Sequence, residues 1–450
     1  MLEEGVILLR TQNPILKKIN RFPQIAAKAE ADKGLKFVSL AHHINKDLLN
    51  RVAFELKANK ATGVDNITAE EFMTNLHENV DNLVSRLKTK SYRPQSVKRV
   101  YIPKPGKDEK RPLGIPATED KLLQLGIKHV LEAIYETDFL DCSHGFRPER
   151  SCHTAIIRMD KAVMTKPVNY VVEVDIRKFF DNVSHYWLLR CLEERIGDPN
   201  FLWLIRQFLK AGVMEEDIYY DSESGTPQGG VVSPLLANIY LHYVLDLWFE
   251  KKYKKSGNGY MELIRYCDDF VVLFEKQNAA ERFLDELRER LAKFGLQVAE
   301  DKTRLLEFGR LAYARSRKAG IKADSFNFLG FTHYWKCSRR GKFIMGHKTS
   351  KDNLRRKLGD MQNWLKSIRT VPQSLWYDTL KRKLCGHYNY FGISGNFRCL
   401  CQYYHQVVSL LFKWLNRRSQ KRSFNWREYL TYLEKEPLPH PRIMVNIYAF

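Results

Sequence analysis

The chain has 450 residues, 44% of them hydrophobic and 12% aromatic, which excludes a disordered chain and predicts two to four domains with ample core. Its formal net charge of +22 says nothing about fold. It does predict a polyanionic partner, either nucleic acid or an anionic membrane surface.

The N-terminal stretch "MLEEGVILLRTQNPILKK" lacks a basic start, an apolar run and a small-residue cleavage site, so no signal peptide is read. Residues 1 to about 60 read as helical and basic. "ANKATGVDNITAEEF" (58–72) holds a turn, then Thr68 as helix N-cap with Glu71 three residues on. "RVYIPKPGKDEKRPLGIP" (99–116) has strand-like ends around a Pro/Gly/Lys loop and reads as a hairpin.

From about 160 to 335 strand and helix signals alternate. "NYVVEVD" (169–175) is a β-branched run ending in an acid, and "HYWLLRCLEERI" is helical. The run "GGVVSPLLANIYLHYVLDLWF" (229–249) carries Ser233, Pro234, Asn238, His242 and Asp246, so it predicts a buried helix and not a membrane span. "LIRYCDDFVVLF" (263–274) predicts two short strands around a tight turn. "AAERFLDELRERLAKFGLQV" is an amphipathic helix stopped at Gly295, and "FNFLGFTHYW" an aromatic strand. This order gives an α+β class with an antiparallel sheet.

The charge is uneven. From Phe331 onward there are 23 Lys and Arg against 6 Asp and Glu, a balance of +17 that leaves only +5 for the first 330 residues. That C-terminal region reads as mostly helical, with Leu354, Leu358, Met361 and Leu365 at helical spacing. Acidic partners for its basic residues are nearly absent. Aromatics (Trp335, Trp364, Tyr388, Tyr390, Phe391, Tyr403, Tyr404, Trp414, Trp426) interleave with them, a pattern suited to base stacking and phosphate contact. The eight cysteines form no CxxC pair, which argues against structural zinc and for a reducing, cytoplasmic setting.

Asp268 and Asp269 are adjacent carboxylates between apolar flanks. Most Asp-Asp pairs sit on solvated turns, but these flanks are too apolar for a free loop, and Asp175 ends another strand of the same region. Carboxylates converging from neighbouring strands repel unless a divalent cation lies between them. Mg²⁺, bound by one or two carboxylates plus substrate phosphates, fits. Two such ions clamp the attacking and leaving oxygens in phosphoryl transfer, which predicts nucleotidyl transfer. Lys104, Lys107, Lys110 and Arg111 supply donors for a triphosphate. Phe179 and Phe180 offer a packing surface for base and sugar, or plain core. Gln228, in "GTPQGGVVSP", is an amide suited to hydrogen bonding sugar or base.

In order and rough spacing, "YIPKPGKDEKRPLGIP", "HGFRPERSCHTA", "VVEVDIRKFFDNV", "GTPQGGVVSPLLANIYL", "IRYCDDFVVLF", "GLQVAEDKTRLLEFG" and "FNFLGFTHYW" resemble the blocks of reverse transcriptases. The chain is most similar to the bacterial group II intron-encoded reverse transcriptase/maturases. "TGVDNITAEEF", "GHYNYFGISGN" and "PLPHPRI" extend the resemblance over nearly all of the chain from about residue 35. It implies a right-hand polymerase: an N-terminal helical extension (1–60), fingers (61–160), a palm with the antiparallel sheet (161–335), and a basic helical thumb and maturase region (336–450), with no C-terminal endonuclease domain. It implies that Asp175, Asp268 and Asp269 hold two Mg²⁺ ions, with Mn²⁺ as a substitute, and that Ile176 lends a backbone carbonyl.

By the same resemblance, Lys104 and Arg111 grip the incoming dNTP. Phe180 discriminates against ribonucleotides, with Phe179 the alternative one register away, and Gln228 lines the nucleotide pocket. Lys351, Arg355, Arg356, Lys381, Arg382, Lys383, Arg417 and Arg418 contact RNA. The implied partners are group II intron RNA, an RNA template with DNA primer, and target DNA, in a cytoplasmic, nucleoid-associated ribonucleoprotein without membrane. The function implied is RNA-directed DNA synthesis with splicing assistance and intron mobility by target-primed reverse transcription. The alternatives are a maturase with dispensable polymerase activity, or a domesticated enzyme without an intron. The resemblance departs at Cys267, where the family usually has alanine, opening fidelity or redox sensitivity to change. Without an endonuclease, priming would use another route, such as a nascent strand at a replication fork.

Overall fold

The computed structural model describes residues 22–58, 60–103, 110–215, 218–220, 225, 229–338, 340–418 and 423–448. It is α+β, as expected. Three sheets organise it. The first has the order β2-β1-β4-β5, from β1 (Val97–Pro103), β2 (Lys110–Ile115), β4 (Val213–Glu215) and β5 (Ile218–Tyr220). The second is β6-β7-β3-β8, from β3 (Tyr170–Asp175), β6 (Met261–Tyr266), β7 (Asp269–Phe274) and β8 (Arg304–Glu307). The third is β11-β10-β9, from β9 (Ser325–Phe328), β10 (Phe331–Cys337) and β11 (Phe343–Thr349).

The chain divides into two compact units. The first comprises the described residues up to Ser151 with Val174–Phe270 and Asn278–Arg304. Its helices are α1 (Pro23–Ala31), α2 (Lys46–Ala53), α3 (Ala69–Thr74), α4 (Leu76–Lys88) and the 21-residue α5 (Thr118–Asp138). The expected capping box starts α3: Thr68 Oγ1 accepts from the Glu71 amide at 3.1 Å, and Glu71 Oε2 from the Thr68 amide at 2.8 Å. The turn before it starts α5 from a distance. Asp65 Oδ2 accepts the Thr118 amide at 3.0 Å, satisfying one donor that a helix start leaves free. Leu122, Leu123, Ile127, Val130, Leu131 and Ile134 on α5 are fully buried. The 99–116 hairpin is present, with β1 and β2 antiparallel and Ile102 opposite Arg111.

The apolar run from Gly229 is a buried helix, as predicted. It comprises α10 (Ser233–Leu241) and a π-helical segment (His242–Asp246). Before it come α7 (Phe179–Asn182), α8 (His185–Glu193) and α9 (Pro199–Leu209); after it, α11 (Gln277–Lys293) ends at Gly295, whose φ is +76°. Among the described residues no helix is long and apolar enough to cross a membrane.

The second unit comprises Cys152–Glu173, Val271–Gln277 and Leu305 onward. It holds α6 (Cys152–Thr165), α12 (Arg310–Lys318), α13 (Lys351–Ser367), α14 (Tyr377–Phe391), α15 (Phe397–Leu415) and α16 (Trp426–Lys435). Ser350 caps α13, which buries Met361 and Leu365 as the spacing predicts. One expectation fails here. "FNFLGFTHYW" is not one strand but a hairpin, β9 to β10, turning on Leu329 and Gly330 at φ +49° and +81°. Both central residues at positive φ make the turn that matches strand twist, and the unusual leucine hid it. Beyond 336 the chain is mostly helical, and β11 pairs along the whole of β10.

The segment after α16 has little regular structure yet a fixed course. Tyr388 Oη donates to the Pro439 carbonyl at 3.0 Å, Val445 N to Gly392 O at 3.0 Å, and Ser394 N to Val445 O at 3.1 Å. Leu438 and Ile447 are buried in the same core as Phe331, Leu380, Leu384 and Leu400. Gly392 is required there, since a Cβ would stand 2.2 Å from the Tyr388 carbonyl and 2.8 Å from that of Arg442.

Candidate active site

The predicted hairpin around the paired aspartates is present: β6 ends at Tyr266 and β7 begins at Asp269. The turn residue Cys267 has φ +58°, a left-handed conformation that costs a non-glycine residue about 1–2 kcal/mol. Its neighbours pin it. A Cβ on Gly145 would stand 2.6 Å from the Cys267 amide nitrogen, so only glycine lets the "HGF" segment lie against the turn. Asp268 and Asp269 are half-buried, and Cys267 is 3% exposed. Burial, with the neighbouring Asp268 carboxylate, holds its thiol well above the ordinary range. A thiol that is buried and kept protonated in this way is poorly reactive.

Asp175 closes β3, the strand beside β7. Ile176 is buried and continues the strand by an antiparallel bridge to Val298; the Ala299 amide donates to the Asp175 carbonyl at 2.8 Å. Lys302, on the turn that follows, forms an ion pair with Asp175 Oδ2. The hydrogen bond to Asp175 is the main cause that raises the lysine above its ordinary value; the Asp301 and Asp268 charges add to it against the downward push of burial. Lys302 was not singled out from the sequence, because it lies 127 positions from Asp175 and "EDKTR" reads as a solvated turn. Among the described residues no three His, Cys, Asp or Glu side chains are gathered into a metal-holding cluster. Asp175 instead pairs with the Lys302 ammonium group, which also feels the Asp268 charge. Carboxylate oxygens on neighbouring strands are hard donors of the kind that suit a divalent ion completed by phosphate oxygens.

Phe179 is 2% exposed and belongs to the core, whereas Phe180 is half-buried. Gly225, φ +89°, stands against the carbonyls of Phe180 and Asp181, each 3.0 Å from a built Cβ. Gly229, φ +116°, would bring a Cβ to 2.3 Å from the Gly114 carbonyl of β2. Gly225 thus lies against α7, and Gly229 against the β1–β2 hairpin. Gln124 supports the same loop from α5, its Oε1 accepting the Val231 amide at 2.7 Å. Lys104 and Gln228 lie outside the described residues, and of Arg111 only the backbone is described.

In the second unit Lys351, Arg355, Arg382, Lys383 and Arg417 are exposed, and Arg356, Lys381 and Arg418 half-buried. Lys383 lies 4.9 Å over the Trp364 ring and Arg417 5.8 Å over Trp414. Arg418 donates to the Val371 carbonyl at 3.2 Å, and Lys381 pairs with Glu436 at 3.7 Å, so these two are partly committed internally. The interleaved aromatics divide by face. Trp335, Tyr388, Phe391, Tyr403 and Trp414 are core, while Tyr390 and Trp426 are exposed.

A palm-type strand pair with an acidic turn, a third aspartate on the next strand and a glycine-set loop against a basic hairpin defines a class of template-directed polymerase. The reverse transcriptase (RNA-dependent DNA polymerase) family model matches residues 102–333, which contain all three aspartates, and the chain belongs to that family. It is similar to the group II intron-encoded protein LtrA of Lactococcus lactis subsp. cremoris, 42% identical over 219 residues, or 47% of this chain and 36% of that protein. It is 32% identical over 323 residues to Protein YkfC of Escherichia coli, covering 65% of this chain and 81% of that one. A third relative is an uncharacterized 91 kDa protein in a cob intron of Schizosaccharomyces pombe, 36% identical over 302 residues, 67% of this chain and 35% of that protein. The chain thus spans about a third of the length of the two intron-associated relatives.

Proposed function

We propose that the protein is an RNA-directed DNA polymerase of the group II intron type, which also binds its intron RNA, assists splicing and supports mobility by target-primed reverse transcription. The observation that carries this reading is the Asp268–Asp269 turn beside the strand ending in Asp175, with Lys302 paired to Asp175. Asp175, Asp268 and Asp269, with the Ile176 carbonyl, would hold Mg²⁺ or Mn²⁺, which when bound would neutralise phosphate charge and activate the primer 3′ hydroxyl. The chain's own residues do the rest. Lys104 and Arg111 would grip the triphosphate, Phe180 would lie under the sugar, and Gln228 would orient the nucleotide. Lys302 supplies a positive charge beside the reacting phosphates. The aspartate turn is held rigid so that the acceptor oxygens need not be found anew in each cycle.

The exposed lysines and arginines of the second unit support binding of intron RNA and template–primer, in a cytoplasmic, nucleoid-associated particle. Primer extension on an RNA template tests the polymerase. Asp268→Ala/Asp269→Ala is expected to abolish extension, and full activity in that variant would sink the reading. Salt titration of intron-RNA binding tests the basic unit. Affinity is expected to fall steeply with salt, and a Lys351→Ala/Arg355→Ala/Arg382→Ala/Lys383→Ala variant to flatten that slope. A salt-independent affinity in the native protein argues against this surface as the RNA grip.

A further inference from the structure

We propose that Arg265, three residues before the first turn aspartate, is a positioning residue for catalysis that sets the acidic turn by clamping the Cys267 carbonyl. Its side chain is 0% exposed, and all five of its N–H donors are used. Nε donates to Asp246 Oδ1 at 2.8 Å and Nη2 to Asp246 Oδ2 at 2.5 Å. Nη2 also donates to Ser143 Oγ at 2.9 Å, and Nη1 to Asn238 Oδ1 at 2.9 Å. The last donor goes from Nη1 to the Cys267 carbonyl at 3.1 Å.

Each partner comes from a different element. Asn238 is on α10, and its Nδ2 donates onward to the Gly145 carbonyl at 2.6 Å. Asp246 ends the π-helical segment, a departure from α geometry of the kind that recurs at functional sites. Ser143 lies on the segment that pairs in parallel with Arg265 itself: the Arg265 amide donates to Cys142 O at 2.8 Å, and the His144 amide to Arg265 O at 2.8 Å. The left-handed turn at Cys267 is therefore held on both sides. Gly145 abuts its amide, and Arg265 holds its carbonyl, the peptide that leads directly into Asp268.

A buried pair built only for stability would need Arg265 and Asp246 alone, and such pairs are often no better than apolar residues of the same volume. The fifth donor, spent on a strained turn carbonyl beside the catalytic carboxylates, has a positional use that an apolar pair cannot replace. Lysine cannot replace it either, because a point charge on a flexible stem does not make a planar fork.

The inference rests on the polymerase reading, and three variants separate the two. Primer extension is measured well below each variant's unfolding temperature, with kcat, the dNTP KM, the Mg²⁺ activation curve and template–primer affinity read separately. Arg265→Lys is expected to fold, to lose about 10²-fold in kcat with KM and template–primer affinity little changed, and to require more Mg²⁺. Arg265→Met alone strands a buried carboxylate and is expected to unfold readily. Arg265→Met/Asp246→Leu removes both charges and is expected to regain stability without regaining kcat. Recovery of kcat together with stability in that double variant, or Arg265→Lys with native kcat and Mg²⁺ response, overturns the clamp and leaves a purely structural pair. A native chain that extends no primer overturns the polymerase reading, and the assignment with it.

Discussion

Gly145→Ala is the sharpest perturbation of the acidic turn that leaves every charge in place. A Cβ there would stand 2.6 Å from the Cys267 nitrogen and 3.0 Å from the Tyr266 carbonyl carbon, both backbone atoms that cannot rotate away. Restoring an ordinary contact of 3.4 Å requires the two segments to part by about 0.8 Å. Gly145 is tied through its carbonyl to Asn238 at 2.6 Å, so much of that displacement falls on the turn. A misplacement near 1 Å costs catalysis about 10²-fold, or about 2.7 kcal/mol of transition-state stabilisation. Overpacking should cost a further ~1–3 kcal/mol of stability. Steady-state primer extension with a parallel thermal melt checks both. The expected result is a kcat down about 10²-fold with dNTP KM little changed. Native kcat, whether or not the melting temperature falls, would refute the coupling between this glycine and the aspartates.

In the second unit, Phe331 is fully buried between Tyr390 and Phe391, with ring centroids 6.1 and 5.3 Å away, so Phe331→Ala should cost about 3–5 kcal/mol in denaturant unfolding; a loss below 1 kcal/mol would refute that packing. Asp120 is 2% exposed, and burial raises its carboxyl to about 7 against the opposing Tyr92 hydroxyl and Gln95 amide. Its proton is held more tightly in the folded state, so its contribution is fully present below about pH 4 and lost as pH rises toward 7. Asp120→Asn should flatten the melting temperature between those limits, and an unchanged slope would count against a protonated Asp120. Cys267, 3% exposed, should resist alkylation in the native protein while Cys337 and Cys385 label, as read by peptide mass spectrometry, and Cys267→Ala should extend primers within a few-fold of the native chain. Rapid native labelling at Cys267 would contradict its burial.

Local features were readable from the sequence. The aspartate hairpin, the Thr68–Glu71 capping box, the basic hairpin and the stop at Gly295 each depend on residues within a few positions of one another. What depends on distant partners was not. Arg265 reads as one more strand residue until it is placed against Asp246, Asn238 and Ser143, which are 19, 27 and 122 positions away. Asn238 and Asp246 were legible only as polar interruptions of an apolar run; their use is as its partners. The aromatic-basic interleaving beyond residue 335 overstated the stacking surface. Composition does not say which face a ring occupies, and Tyr388, Phe391 and Tyr403 face the core. The Leu329–Gly330 turn was missed because leucine is rarely asked to take positive φ.

The segment between α16 and Tyr448 has a consequence for sequence drift. Leu438 and Ile447 are both anchored in the core, and between them Met444 and Val445 both donate to the single carbonyl of Gly392. A path fixed at both ends and in the middle has no slack to absorb a length change. A single inserted residue between Leu438 and Ile447 would move one anchor out of its socket, so this irregular stretch should tolerate substitution at its exposed positions, such as Ile443, but not insertion. Loops usually show the opposite pattern. In its tolerance of indels this segment should therefore behave as a strand does, with spacing kept and composition free.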